Sequence, residues 1–342
     1  MSKTISRPLF GLLIALLMAS ALTGTAGARK RPGGGTSATG RVFLPNPVAD
    51  LQDQTLTDQK DADYAALQPA YHEVTLTDLD GSGYLVGKWA NVVSETGDPA
   101  YSSSGSFLFG RSDDRFEQVM AYYWVTESQR YIQSLGFGSS RRPINMESQD
   151  VRINQWGVDN SYSWDKHDVL RFGKGGVDDA EDAEVILHEY GHAMHDSQIS
   201  GLAGTGDAGA IGEGFGDYWA VTVSNVVAPT PDAPCVADWD SVSYTSTTPH
   251  CLRRTDLDVQ YPGDLAASIH RRGQIWSRAL WDIRQALGAT TADTIILEAQ
   301  FDFAPDTTMP AAAEGTVATA ERLYNRGVAH QVRTAFEDRG IL

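Results

Sequence analysis

The segment His188-Glu189-Tyr190-Gly191-His192 limits what this chain can fold into more than any other stretch. Two histidines four residues apart share one face of an α-helix, one turn above the other, so both imidazoles can reach a single ion. Ala180 to Leu187 supplies a helical approach, and acidic residues crowd its start, where they suit the helix dipole. A pair of surface histidines on an amphipathic helix would read the same way. The pattern therefore demands a third ligand from a distant segment.

A histidine six residues beyond His192 would fall at position 198, which is Gln198. Instead, Gly212-Glu213-Gly214-Phe215-Gly216-Asp217-Tyr218-Trp219 opens the next helical pattern, 21 residues past His192. Glu213 can return to the ion if the two helices pack antiparallel across a turn. Asp217, four residues on, shares that face and can orient a ligand histidine. Two histidines, a glutamate and an exchangeable fourth position make a catalytic zinc site rather than a structural one. Glu189 then projects toward the open position, where it can take a proton from water. His195 reads as a bystander.

The N-terminus places this chemistry outside the cytoplasm. Lys3 and Arg7 precede the apolar run Leu9 to Met18, and small residues lead to Ala26-Gly27-Ala28. That order predicts a signal peptide over residues 1–28. About ten apolar residues are too few to span a bilayer. The expectation is a secreted, extracellular protein, with the periplasm as the alternative, that is monomeric and free of the membrane after processing. Removing Lys3 and Arg7 with this segment takes the net charge from −17 to −19, which excludes a nucleic-acid binder. In a secreted chain the two cysteines, Cys235 and Cys251, read as one structural disulfide.

Composition divides the rest. Residues 29–40 are Gly-rich and read as a flexible linker, with order starting near Arg41. To about Gly110 the pattern is β-like, Arg115 to Leu135 reads as a helix, and 143–172 as short strands and turns. Helical patterns follow near Ala180–Ser200, Gly212–Val226, Ser268–Leu287, Thr291–Gln300, Ala311–Tyr324 and Gly327–Asp338. The predicted class is α+β. A β-rich N-terminal lobe (41–200) carries the central metal-binding helix, and a mainly helical lobe (201–342) follows.

Phe172-Gly173 through Asp182 to His192, followed by Glu213 to Asp217, resembles the thermolysin/fungalysin group of zinc metallopeptidases. The H-E-Y-x-H and G-E-G-x-x-D forms are most similar to the fungalysin branch, and the likeness runs from about Arg41 to Leu342. It implies a two-lobed, secreted, zinc-dependent endopeptidase acting on proteins or peptides. The alternative is an inactive relative that binds peptides or matrix proteins.

The resemblance also implies roles for further residues. His270, in Ile269-His270-Arg271-Arg272-Gly273-Gln274-Ile275-Trp276, would steady an oxyanion, with Asp264 as a candidate to orient it. Asn160 and Ser161 would align an extended substrate on an edge strand. Arg253 or Arg254 would hold a substrate carbonyl, and the choice stays open. Asp178, Asp179, Glu181, Asp182 and Glu184 form either a calcium (Ca2+) site or a solvated acidic helix start, and Ser224 stands where a further carboxylate is expected. Two departures stand out: residues 193–212 lack a tyrosine, and only residues 29–40 stand where relatives carry a long propeptide.

Overall fold

The computed structural model describes residues 35–94, 97–264 and 268–342. The expected signal peptide and the first part of the expected linker lie outside the described residues. The linker's far end is corrected: strand β1 (Thr36–Val42) begins five residues before Arg41. Its residues 38–42 pair in register with β2 (His72–Leu79), and that partner gives the segment an order its small-residue composition does not advertise.

After β1 come α1 (Pro47–Leu51), β2, β3 (Ala90–Ser94), β4 (Ser106–Phe107), α2 (Arg115–Ser134), β5 (Gln149–Ile153), β6 (Ser161–Trp164) and β7 (Val169–Phe172). The strands form a three-stranded sheet, β2-β1-β4, and a four-stranded sheet, β3-β5-β7-β6. In the second sheet β3, β5 and β7 run parallel, while β6 lies antiparallel at one edge. Among the described residues, one side of β6 has no strand partner.

The helical half contains α3 (Ala183–Gln198), α4 (Gly206–Val227), α5 (Ile269–Leu287), α6 (Ala289–Gln300), α7 (Met309–Leu323) and α8 (Arg326–Glu337). Asp182 caps α3 by accepting the Glu184 amide. Helix α4 starts six residues before the predicted Gly212, because a run of glycines that reads as loop is held helical by packing on both sides. Glu213 consequently sits about two turns inside the helix rather than at its start.

One apolar core joins the two halves. Met120 of α2, Leu187 and Tyr190 of α3, Phe215 and Trp219 of α4, and Ile275 and Trp276 of α5 are all buried in it. Inside the core the Trp219 indole donates to Ser128 Oγ at 2.9 Å, so its one polar atom is satisfied. No described helix is long and apolar enough to cross a membrane.

Between α4 and α5, β8 (Cys235–Val236) pairs with β9 (Arg253–Arg254), and Cys235 and Cys251 form the expected disulfide with an S–S length of 2.04 Å. The acidic segment before α3 is not a solvated helix start. Glu181 is buried against Arg111 and the Trp239 indole, Asp182 accepts the Trp239 and Asp240 amides, and Glu184 accepts Ser224 Oγ and the Ala237 amide. Buried carboxylates need such donors. Ser224 meets Glu184 as a hydroxyl donor at 2.8 Å.

Candidate active site

Two close helix crossings build the site. At Gly216 a methyl group would lie 2.8 Å from the His188 ring, so only glycine lets α4 lie this close to α3. At Gly214 it would lie 2.3 Å from the Gly273 carbonyl, so α4 and α5 touch backbone to backbone. Glu213 directly precedes Gly214 and lies three residues before Gly216, and is thereby brought against both His188 and His270.

One donor atom from each of His188, His192 and Glu213 lies within 4.8 Å of the others. The Nε2 atoms of His188 and His192 are 3.2 Å apart, and Glu213 Oε2 lies 3.4 Å from His188 Nε2. On the far side of the His188 ring, Nδ1 is 3.0 Å from Asp217 Oδ1. Asp217 is gripped in turn by Arg253, whose Nε and Nη2 both donate to it at 2.7 Å. Burial opposes charge on Asp217, but Arg253 and His188 outweigh it and hold the carboxyl well below its usual range. Burial and the neighbouring His188 push His192 down to about 4. A neutral imidazole is the form that donates a lone pair to a metal.

Glu189 is buried, and its Oε2 accepts the Ser163 amide of β6 at 2.8 Å. Burial pushes its carboxyl up to about 7. Alternation along a strand aims the Ser161 amide the same way as that of Ser163, off the free edge of β6. His270 stands in the first turn of α5, 52% exposed, with Nε2 3.3 Å from Glu213 Oε2. Asn160, Ser161, His188, Glu189 and His270 line two cavities of about 510 and 680 Å³ that meet at Glu189.

One expectation is corrected, one alternative is resolved, and His195 stands apart from the cluster as expected. Asp264 is turned to the Gln260 amide, which it accepts at 2.7 Å. Arg254 is spent on Asp232 and Asp256, so of the two arginines it is Arg253 that lines the cavity. His195 is buried and stacks on Phe215, with ring centroids 4.4 Å apart, and joins no metal cluster among the described residues. The sequence reading missed the Ser163 amide, because a backbone donor carries no sequence signal. It also missed Asp240 and Tyr244, which reach the cavity from the loop between β8 and β9.

The model for the fungalysin metallopeptidase family (M36) matches residues 118–331, which is most of the chain and includes every residue of this cleft. The chain belongs to the fungalysin family. Among named relatives, this fungalysin chain is 23% identical over 119 residues to extracellular metalloproteinase 3 of Trichophyton tonsurans, covering 31% of this chain and 18% of that one. It is 26% identical over 115 residues to extracellular metalloproteinase 2 of Phaeosphaeria nodorum, covering 30% and 17%. The alignments thus span less than a fifth of those relatives' length. The fold is similar to the precursor of protealysin, a metalloproteinase from Serratia proteamaculans, with a TM-score of 0.56, 17% identity, and 74% and 86% of the two chains covered. That likeness agrees with the two-lobed α+β architecture.

The donor set fits the zinc that the fungalysin family implies. Glu213 Oε2 is buried without a hydrogen-bond partner, beside two imidazole nitrogens that face each other. A buried carboxylate oxygen left unpaired is costly unless a cation completes it.

Proposed function

We propose that this protein is a secreted zinc-dependent endopeptidase that hydrolyses internal bonds of protein or peptide substrates. The observation that carries the reading is Glu189: a buried carboxylate, held by the Ser163 amide, beside the converging His188, His192 and Glu213. A protein that only bound peptides would have no use for such a base.

His188, His192 and Glu213 would hold zinc, which supplies Lewis acidity to a peptide carbonyl and acidifies water. The chain's own residues do the rest. Glu189 takes the proton that water loses as it attacks the scissile carbonyl, and later passes it to the departing amine. His270, exposed on the cleft, donates Nε2–H toward the oxyanion that attack creates. The free edge of β6, with Asn160 and Ser161, accepts the substrate as an added strand. Asp217 keeps the His188 ring oriented, and Arg253 keeps Asp217 charged. The signal-peptide order of residues 1–28 supports export, as do the extracellular relatives.

The test is zinc content together with cleavage of unfolded casein by the purified protein. One zinc per chain, with cleavage lost on chelation and restored by zinc, is expected. A folded chain that binds no zinc would end the reading.

A further inference from the structure

The larger share of acidic groups near the cleft plays no part in the chemistry above. The cavity of about 510 Å³ on one side of Glu189 has both Asp179 and Asp240 in its lining. Both side chains are 97% buried, and Oδ1 of each accepts no hydrogen bond. One oxygen from each lies within 4.8 Å of the other and of an oxygen of Asp159. The other charged groups lining the cavity are already matched. Arg253 is bound to Asp217, Glu184 accepts Ser224 and Ala237, and Glu189 accepts Ser163. The Asp179–Asp240 pair of carboxyls therefore has no cation bound to it among the described residues.

The rest of the lining is mixed, with the apolar Val185, Val236 and Leu252 beside the polar Asn160, Ser161, His188, Tyr244 and His270. Three apolar side chains beside a buried pair of carboxyls suit a side chain with a hydrocarbon stem and a cationic tip. We infer that this cavity receives a lysine or arginine side chain of the substrate residue adjoining the scissile bond, with Asp179 and Asp240 binding its charge. The inference rests on the peptidase reading for the position of the bond. Burial pushes the Asp179 carboxyl up to about 8, as expected for a charge site whose cation is supplied from outside. A divalent cation is the rival occupant. Calcium takes 6–8 oxygens, and this cluster offers three aspartates on a cavity that opens beside the catalytic base.

The experiment has two arms. In the first, the zinc-loaded protein digests a mixed peptide library and the cut sites are mapped by mass spectrometry. Lys or Arg next to the cut should be enriched about tenfold. The kcat/KM ratio of a Lys peptide over its Leu counterpart should fall about tenfold in Asp240→Asn and in Asp179→Asn. In the second arm, Glu189→Gln protein binds the same uncut peptides in a calorimeter, and the Lys peptide should bind more tightly. Lys-preferring binding without any cleavage would sink the peptidase reading and leave this pocket standing. Cleavage with no basic preference, unchanged by Asp240→Asn, would overturn the inference. So would a calcium ion bound at one per chain and lost in Asp240→Asn, if basic preference is absent.

Discussion

Arg253 holds both oxygens of Asp217, and Asp217 lies 3.0 Å from the Nδ1 of His188. A residue of β9, two positions past Cys251, thus sets the orientation of the His188 ring on α3, through a carboxylate on α4. Removing the carboxylate's charge should loosen that ligand without removing it. Asp217→Asn is expected to weaken zinc binding by about 10–100-fold, measured by chelator competition. Unchanged affinity in a folded variant would show that His188 needs no such support.

The helix crossings make a second prediction. Gly214→Ala places a methyl 2.3 Å from the Gly273 carbonyl, where backbone must move. Overpacking of this kind costs about 1–3 kcal/mol, read from urea denaturation. Gly216→Ala presses on the His188 ring instead, so its larger effect should be on zinc affinity. Equal stability and affinity in both variants would contradict the account of how α4 reaches α3 and α5.

The fold was legible where pattern and packing agree, and less so where one partner is remote. Helices α5 to α8 begin and end within two residues of their expected bounds, because apolar period and end signals agree there, as where Asn325 caps α8 through the Gly327 and Val328 amides. The start of α4 was misplaced because Gly206, Gly209 and Gly212 carry low helix propensity, and the contacts that offset it come from α3 and α5. That His188, His192 and Glu213 converge was readable, since two histidines at helical spacing call for a third donor from the next helix. The choice between Arg253 and Arg254 was not, since adjacent arginines in a strand point to opposite faces and only the fold says which face meets Asp217.

Buried carboxylates predict an unusual pH dependence for the metal-free protein. Burial and the neighbouring Glu181 push Asp178 up to about 9, and burial with Asp182 pushes Asp238 up to about 8. In the unfolded chain both would ionise near 3.9. Between these values the folded state holds more protons, so stability falls as pH rises. The Tm in EDTA should therefore drop from pH 6.5 to 8.5, a window above the ordinary histidine range, and Asp178→Asn should flatten the fall. A Tm that rises across this window would contradict the burial of these groups.

The disulfide ties β8, which carries Val236, to Cys251, immediately before Leu252 and Arg253, and so braces the residues that line the cavity. Replacing Cys235 and Cys251 together by serine should cost about 3 kcal/mol in chemical denaturation. If the variant matches the parent in stability, the loop is held by its other contacts.

The central claim is that Glu189 is the base and not a ligand, and one substitution tests it most directly. Glu189→Gln keeps the side-chain shape and still accepts the Ser163 amide through its carbonyl oxygen, but it cannot carry a proton away from water. Zinc content at one per chain in both proteins, with casein cut by the parent and not by Glu189→Gln, is the predicted result. Casein cleavage by Glu189→Gln at a rate near the parent's would contradict it.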